Sequence, residues 1–116
     1  MHKSAQILDL SHLAAQTGGD HALQREILTL FVRQSREILV LLRDDAALPQ
    51  ARADLAHKLK GSARTVGAFG LAEEAEAVET GLRAGDTPPV LDDLAAAIDA
   101  AAAGVSRYLM KLSQGD

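Results

Sequence analysis

The sequence predicts an all-α domain, arranged as an antiparallel up-and-down four-helix bundle with a short extra helix at its N-terminus. Hydrophobic residues make up 47% of the 116 residues and aromatic residues only 3%, so the core must consist mainly of Leu, Ile, Val and Ala. Alanine favours helices and is depleted in strands. Apolar residues also recur at three- and four-residue steps in long segments that short connections separate. Residues 1–116 are therefore interpreted as a single domain.

Five helices follow from this periodicity and from the turn residues between the periodic segments. Ser4 and Asp20 are the expected N-caps of the first two helices. Pro49 suits the first turn of the third helix, and Gly67 is the expected break before the fourth. The expected ranges are 4–16, 21–45, 49–65, 68–84 and 90–112. The expected core positions are Ile7, Leu10 and Ala14; Leu23, Ile27, Leu30, Phe31, Ile38, Leu41 and Leu42; Leu55, Leu59 and Val66; Leu71, Ala75, Val78 and Leu82; and Leu91, Leu94, Ile98, Ala101, Val105, Tyr108 and Leu112.

Charge and composition argue against several classes of protein. The formal net charge is -4, whereas a nucleic-acid-binding domain is normally basic. The absence of cysteine excludes disulfides, thiolate metal sites and a catalytic thiol. The sequence has no apolar stretch of membrane-spanning length and no apolar signal segment at its start. We therefore expect a cytoplasmic monomer that binds neither nucleic acid nor membrane.

The segment around His57 carries the chemical signal. At about 100° per residue, Leu55 and Leu59 lie about 160° from His57 around the third helix, and Val66 lies about 180° from it. Because those three residues must face the core, His57 is expected on the outer face. Lys60 and Gly61 follow three and four residues later and share that face.

Gly61 is unusual because glycine inside a helix costs about 1 kcal/mol relative to alanine. On an exposed face it leaves space in which a partner's backbone could approach the imidazole. Lys60 supplies a cation within reach of a negatively charged group on His57, although alone it would be read as an ordinary solvated lysine. Together the three residues offer a nucleophile, a neutralising charge and a steric gap.

The run His57-Lys58-Leu59-Lys60-Gly61-Ser62-Ala63, followed by Gly67-Ala68 and Leu71, resembles the signature of histidine-containing phosphotransfer (HPt) domains of two-component phosphorelays. Phe31 and the Gly85-Asp86 break also fit that family. The resemblance implies a four-helix bundle with a phosphorylated imidazole on its surface. It implies His57 as the phosphoryl acceptor, Lys60 as its basic neighbour and Gly61 as the small residue that admits a partner. The implied partners are receiver domains of response regulators, whose aspartates exchange the phosphoryl group, and a hybrid histidine kinase.

The same resemblance describes a phosphocarrier rather than an autonomous enzyme. The chain has no phosphate-binding glycine loop, so no ATP-dependent kinase activity of its own is expected. No cofactor is expected on this chain, and Mg²⁺ is expected in the acidic pocket of the receiver. The alternative function is a helical interaction module that docks a receiver or a kinase without transferring phosphate.

Further residues are candidates for supporting roles. Counting ten residues out to the Gly67 turn and about as many back points to residues 77–79, of which Glu79 is the polar one. Its carboxylate could accept a hydrogen bond from the ring and fix the tautomer. Some HPt domains have a glutamine at the corresponding place, and a simple solvated glutamate stays an open alternative. Arg83, one turn beyond Glu79, could temper its charge or touch the partner, and Arg64 shares the face of His57. His2, His12 and His21 lack the spacing of a helix-borne metal site.

Overall fold

The computed structural model describes residues 7–86 and 89–115, which form five helices and no strand. The helices are α1 (Leu10–Thr17), α2 (His21–Leu42), α3 (Pro49–Val66), α4 (Phe69–Arg83) and α5 (Asp92–Gln114). The all-helical prediction is confirmed. No helix in this part of the chain is long and apolar enough to cross a membrane.

The first helix begins later than expected. The predicted cap at Ser4 lies outside the described residues, and the described helix begins at Leu10 with Asp9 as its N-cap. The Asp9 carboxylate accepts a hydrogen bond from the His12 backbone N–H at 3.0 Å, which satisfies one of the unpaired donors at the helix start. The buried face also differs from the prediction: Leu13 and Thr17 are buried, whereas Leu10 and Ala14, which were expected inside, are exposed.

The second helix begins as expected, and its buried stripe matches the prediction in part: Phe31, Ile38 and Leu42 are buried and Ile27 is half-buried. The Asp20 side chain accepts from the backbone N–H of Leu23, so the predicted cap is confirmed, but the helix ends at Leu42 rather than at residue 45. The prediction failed at Leu23, Leu30 and Leu41, which are exposed. Apolar residues occur on more than one face of this helix, and its packing against both α3 and α5 selects which of them are buried. The buried residues are Gln24, Leu28, Phe31, Ser35, Ile38, Leu39 and Leu42.

Helices α3 and α4 follow the prediction closely. Pro49 opens α3, and Gly67 ends it with φ +88°, a left-handed conformation that favours glycine. Gly67 also admits a close neighbour: its carbonyl accepts from the Asp9 N–H at 2.9 Å, and a Cβ at this position would lie 2.7 Å from the Asp9 carbonyl oxygen. The four expected core positions of α4 are buried: Leu71, Ala75, Val78 and Leu82.

The helices pack in a ring in which α2 contacts α3, α3 contacts α4, α4 contacts α5 and α5 contacts α2, while α1 lies against α2 and α3. The most extensive contact joins α3 to α4. Helix α5 begins at Asp92, two residues later than expected, and buries Leu94, Ile98, Ala101 and Val105 toward the core, with Tyr108 half-buried. The outer faces of α3 and α4 therefore remain side by side at the surface.

Candidate functional site

His57 lies on the exposed face of α3, where helical geometry predicts it. Its side chain is 63% exposed, whereas Leu59 and Val66 on the opposite face are buried and Leu55 is half-buried. Small core residues on α3 bring the neighbouring backbones close: Ala53, Ala56 and Ala63 are completely buried. The imidazole is therefore carried by a closely packed helix while its ring remains open to a partner.

Glu79 of α4 holds the imidazole. The Nδ1 atom of His57 lies 3.1 Å from Oε2 and 3.3 Å from Oε1 of Glu79. An ionised carboxylate can only accept hydrogen bonds, so Nδ1 must carry the proton and donate. The lone pair of the neutral ring is thereby placed on Nε2, the nitrogen farther from the backbone.

Two cations, Lys60 and Arg83, also contact the carboxylate of Glu79. The Lys60 ammonium donates to Oε1 of Glu79 at 2.9 Å, and the Arg83 guanidinium approaches Oε2 through Nε at 3.1 Å and Nη2 at 3.0 Å. These contacts lower the pKa of Glu79 from 4.5 to about 2; the Lys60 hydrogen bond is the largest cause, and burial opposes it. The Glu79 side chain is only 12% exposed, and it remains ionised at neutral pH.

Asp54 extends this network back to α3. Its Oδ1 accepts from Arg83 Nη2 at 3.1 Å, so one guanidinium joins Asp54 to Glu79. The hydrogen bond from Arg83 to Asp54, followed by the one to Glu79, raises the pKa of Arg83. Sequence reasoning missed Asp54. Its position three residues before His57, on the same helix face, was the available signal.

Gly61 and Arg64 lie beyond the network along α3. A Cβ added at Gly61 would meet no atom within 4 Å, so intrachain packing does not require glycine there. Arg64 does not join the carboxylate of Glu79 but pairs with Glu76 at 3.0 Å, and both side chains are more than half exposed. Beside Gly61, a shallow groove between α2 and α3 is lined by Ile27, Leu30, Phe31, Gln34, Ser62, Thr65 and Val66.

Neither His12 nor His21 contacts the residues of this site. His12 is half-buried and its ring contacts Phe69 edge-on at 5.1 Å, His21 is exposed at the start of α2, and His2 lies outside the described residues. Within residues 7–86 and 89–115, no group of His, Cys, Asp or Glu is arranged to hold a metal ion. The site presents one exposed imidazole, hydrogen-bonded to Glu79 through Nδ1, next to the cations Lys60 and Arg83.

Comparison with known proteins gave one match. The family model of the Hpt domain matches residues 26–104, more than half of the chain, and this segment contains every residue of the site described above. Neither the search of curated proteins nor the search of solved structures found a match.

Proposed function

The chain belongs to the Hpt domain family, and from this we propose that His57 accepts a phosphoryl group and exchanges it with aspartates of response-regulator receiver domains. Membership implies histidine phosphotransfer in phosphorelay signalling, in which such domains interact with response regulators and kinases. The observation that carries the proposal for His57 is the exposed ring whose Nδ1 is bound to Glu79 and whose Nε2 is left as the nucleophile.

The transfer needs no proton movement on the ring. The Nε2 lone pair attacks the phosphorus of an aspartyl phosphate, the Nε2–P bond forms, and the P–O bond breaks with its electron pair on the aspartate oxygen. The ring becomes an imidazolium that still carries its Nδ1 proton. In the reverse direction an aspartate oxygen attacks phosphorus, and the electron pair of the Nε2–P bond returns to the ring. Because the proton is already on Nδ1, no proton has to move between the ring nitrogens before Nε2 attacks.

Lys60 and Gly61 meet two further requirements of the transfer, which are charge stabilisation and steric access. Lys60 lies one helical turn from His57 and already contacts an anion, so we propose that it stabilises charge on the phosphoryl group during transfer. The open space at Gly61 would admit the backbone of the receiver beside the ring. The groove lined by Phe31 and Val66 continues this surface between α2 and α3.

We further propose an antiparallel up-and-down four-helix arrangement of α2 to α5, with α1 as the extra helix. The ring of contacts among α2, α3, α4 and α5 supports it. Cross-helix pairs support it as well: on α3 and α4, Asp54 meets Arg83 while Arg64 meets Glu76, so the numbers rise on one helix as they fall on the other. Residues 1–116 would then form one domain.

The partners and the location of the protein follow from this proposed role. A phosphocarrier of this kind would act as a cytoplasmic monomer between a hybrid histidine kinase and receivers, without binding nucleic acid. The Mg²⁺ for transfer would belong to the acidic pocket of the receiver, and phosphorylation from ATP would be the work of the kinase. The intact His57 with its hydrogen-bonded ring favours this proposal over a docking module that transfers no phosphate.

The test is phosphorylation by a receiver domain loaded with acetyl phosphate, followed by intact-mass measurement. Wild type should gain one acid-labile phosphoryl group, whereas His57→Gln should gain none and keep its helical circular dichroism. His21→Gln is the matched control, because His21 is exposed on α2, away from Glu79, and this variant should be labelled like wild type. Labelling of His57→Gln, or no labelling of wild type by any receiver of the source organism, would contradict the proposal.

A further inference from the structure

The carboxylate of Glu79 has a second consequence, which appears only after the ring has been phosphorylated. We propose that Glu79 retains the proton on Nδ1 of His57 while the phosphoryl group is on Nε2, so that the phosphorylated ring stays an imidazolium and passes the group on rather than storing it. This inference rests on the proposed function and assigns Glu79 as a positioning residue that sets how readily His57 releases phosphate.

The Nδ1 nitrogen of the His57 ring faces Glu79. A phosphorylated imidazole in water can release its Nδ1 proton and become neutral. In this protein the bare Nδ1 lone pair would then point at two carboxylate oxygens, 3.1 and 3.3 Å away. Two acceptors at that distance repel each other, whereas the imidazolium N–H and the carboxylate form a charge-assisted hydrogen bond.

Glu79 cannot relieve this repulsion by turning over or by taking up a proton. Rotation exchanges one oxygen for another, and the carboxylate has no donor to offer. Its pKa of about 2 keeps it ionised across the pH range in which proteins normally work. Arg83 also anchors it through Oε2, so it can keep its place even when Lys60 moves to the phosphoryl group. A glutamine at this position could rotate and donate its N–H to a deprotonated Nδ1.

The other charged groups near the ring do not supply an alternative partner for Nδ1. On α3, Asp54 is engaged with Arg83 and Lys60 with Glu79. On α4, Arg83 contacts Glu79 and not the ring, and the exposed Arg64–Glu76 pair is separate from both. Among the described residues of α1 and α2, none forms a hydrogen bond or an ion pair with His57.

Protonation of Nδ1 decides the quality of the leaving group. When an acceptor oxygen attacks phosphorus and the Nε2–P bond breaks, the electron pair goes to the ring. With the Nδ1 proton present the ring leaves as neutral imidazole, and without it the ring would leave as the far more basic imidazolate. Retaining the proton therefore favours transfer to an aspartate and, when no receiver is bound, hydrolysis by water.

The experiment loads the full chain with potassium phosphoramidate, a small donor that needs no partner protein. We would compare wild type, Glu79→Gln and the control Glu76→Gln, whose glutamate is on the same helix but contacts Arg64 rather than His57. The readouts are the ¹⁵N chemical shift of Nδ1 in phospho-His57 as a function of pH and the rate of phosphate loss at mildly alkaline pH. Free phosphohistidine with the group on the same nitrogen provides a second reference that does not depend on any variant.

In wild type and in Glu76→Gln, the Nδ1 proton should be lost at a pH about one unit or more above that of Glu79→Gln and of free phosphohistidine. At a pH between the midpoints of Nδ1 deprotonation in wild type and in Glu79→Gln, the variant should lose phosphate several-fold more slowly than wild type. Equal midpoints in wild type and Glu79→Gln, or a wild-type midpoint no higher than that of free phosphohistidine, would overturn this inference alone. Absence of phosphate on His57 in both proteins would overturn the proposed function and this inference with it.

Discussion

Replacing Glu79 by glutamine should destabilise the fold near neutral pH, and the loss should disappear in acid. Glutamine keeps the size of the side chain but removes the charge that Lys60 and Arg83 share. Lys60 is only 15% exposed, so its ammonium would lose its negatively charged partner in a partly desolvated position. The effect is therefore one of stability as well as of chemistry.

The size of this effect follows from the pKa of Glu79. A fall from 4.5 to about 2 corresponds to at most about 3–4 kcal/mol, at about 1.4 kcal/mol per pKa unit. Arg83 is 43% and His57 63% exposed, and water screens part of their attraction. We therefore expect Glu79→Gln to lower the free energy of unfolding by about 1–2 kcal/mol near neutral pH.

The sign of the pH dependence is fixed by the same pKa. The unfolded chain binds a proton at this residue near pH 4.5, whereas the folded chain does so only near pH 2, so the stabilisation is complete above pH 4.5 and is lost as the pH falls toward 2. A protonated glutamic acid resembles glutamine, and the difference between the two proteins should therefore close over that range.

The assay is urea unfolding followed by far-UV circular dichroism at several pH values from neutral to about pH 2. Glu76→Gln is the control, because Glu76 and Arg64 are both more than half exposed and an exposed ion pair contributes about 0–1 kcal/mol. A difference between wild type and Glu79→Gln that stays constant with pH would refute the reasoning. So would a pH-dependent loss of the same size in Glu76→Gln.

Substitutions at three further positions, Gly61, Gly67 and Lys60, test the helix that carries His57. Gly61→Ala should raise the free energy of unfolding by up to about 1 kcal/mol, because the added Cβ meets nothing within 4 Å, whereas Gly61→Gln should slow transfer from a receiver without lowering the melting temperature. Gly67→Ala should cost more than about 1 kcal/mol in the same unfolding assay, since its φ of +88° is strained for alanine and its Cβ would collide with Asp9; an unchanged midpoint would contradict this. Lys60→Ala should raise the transfer barrier by about 1–3 kcal/mol in rapid-quench kinetics at low salt, and a wild-type rate would reduce Lys60 to a structural partner of Glu79.

Much of the region around His57 could be predicted from sequence because α3 and α4 each have a single apolar stripe. Proline at the start of α3 and Gly67 at its end fix its length, and the short turn fixes the register with α4. Counting residues through that turn pointed to residues 77–79, and Glu79 was the polar residue among them; in the structure it is in hydrogen-bond contact with His57. The residues that begin and end α3 and the antiparallel return of the chain predict the same arrangement of α3 and α4. Neither depends on how the other helices pack.

Elsewhere, the outcome depended on packing that the sequence does not display. Leu23, Leu30 and Leu41 on α2 are as apolar as Leu28 and Leu39, and only contact with two neighbouring helices decides which are buried. Gln24 and Ser35 are polar and therefore gave no sign of being in the core. They can be buried because their polar atoms form hydrogen bonds within the fold. Likewise, the one sequence signal of Asp54 was its place on the helix face of His57, and its contact with Arg83 of α4 appears only in the fold.

The turn at Gly67 and Ala68 has a consequence for how the protein folds and how it can evolve. The cross-helix pairs of the site join residues only 12 to 29 positions apart, so closing the loop between them costs little chain entropy. The reactive surface should thus form together with the α3–α4 hairpin, early in folding. Helices α2 and α5 donate nothing to the carboxylate of Glu79, within the described residues. Mutations on the outer face of α2 could therefore retune partner choice over evolution while leaving the phosphoryl chemistry unchanged.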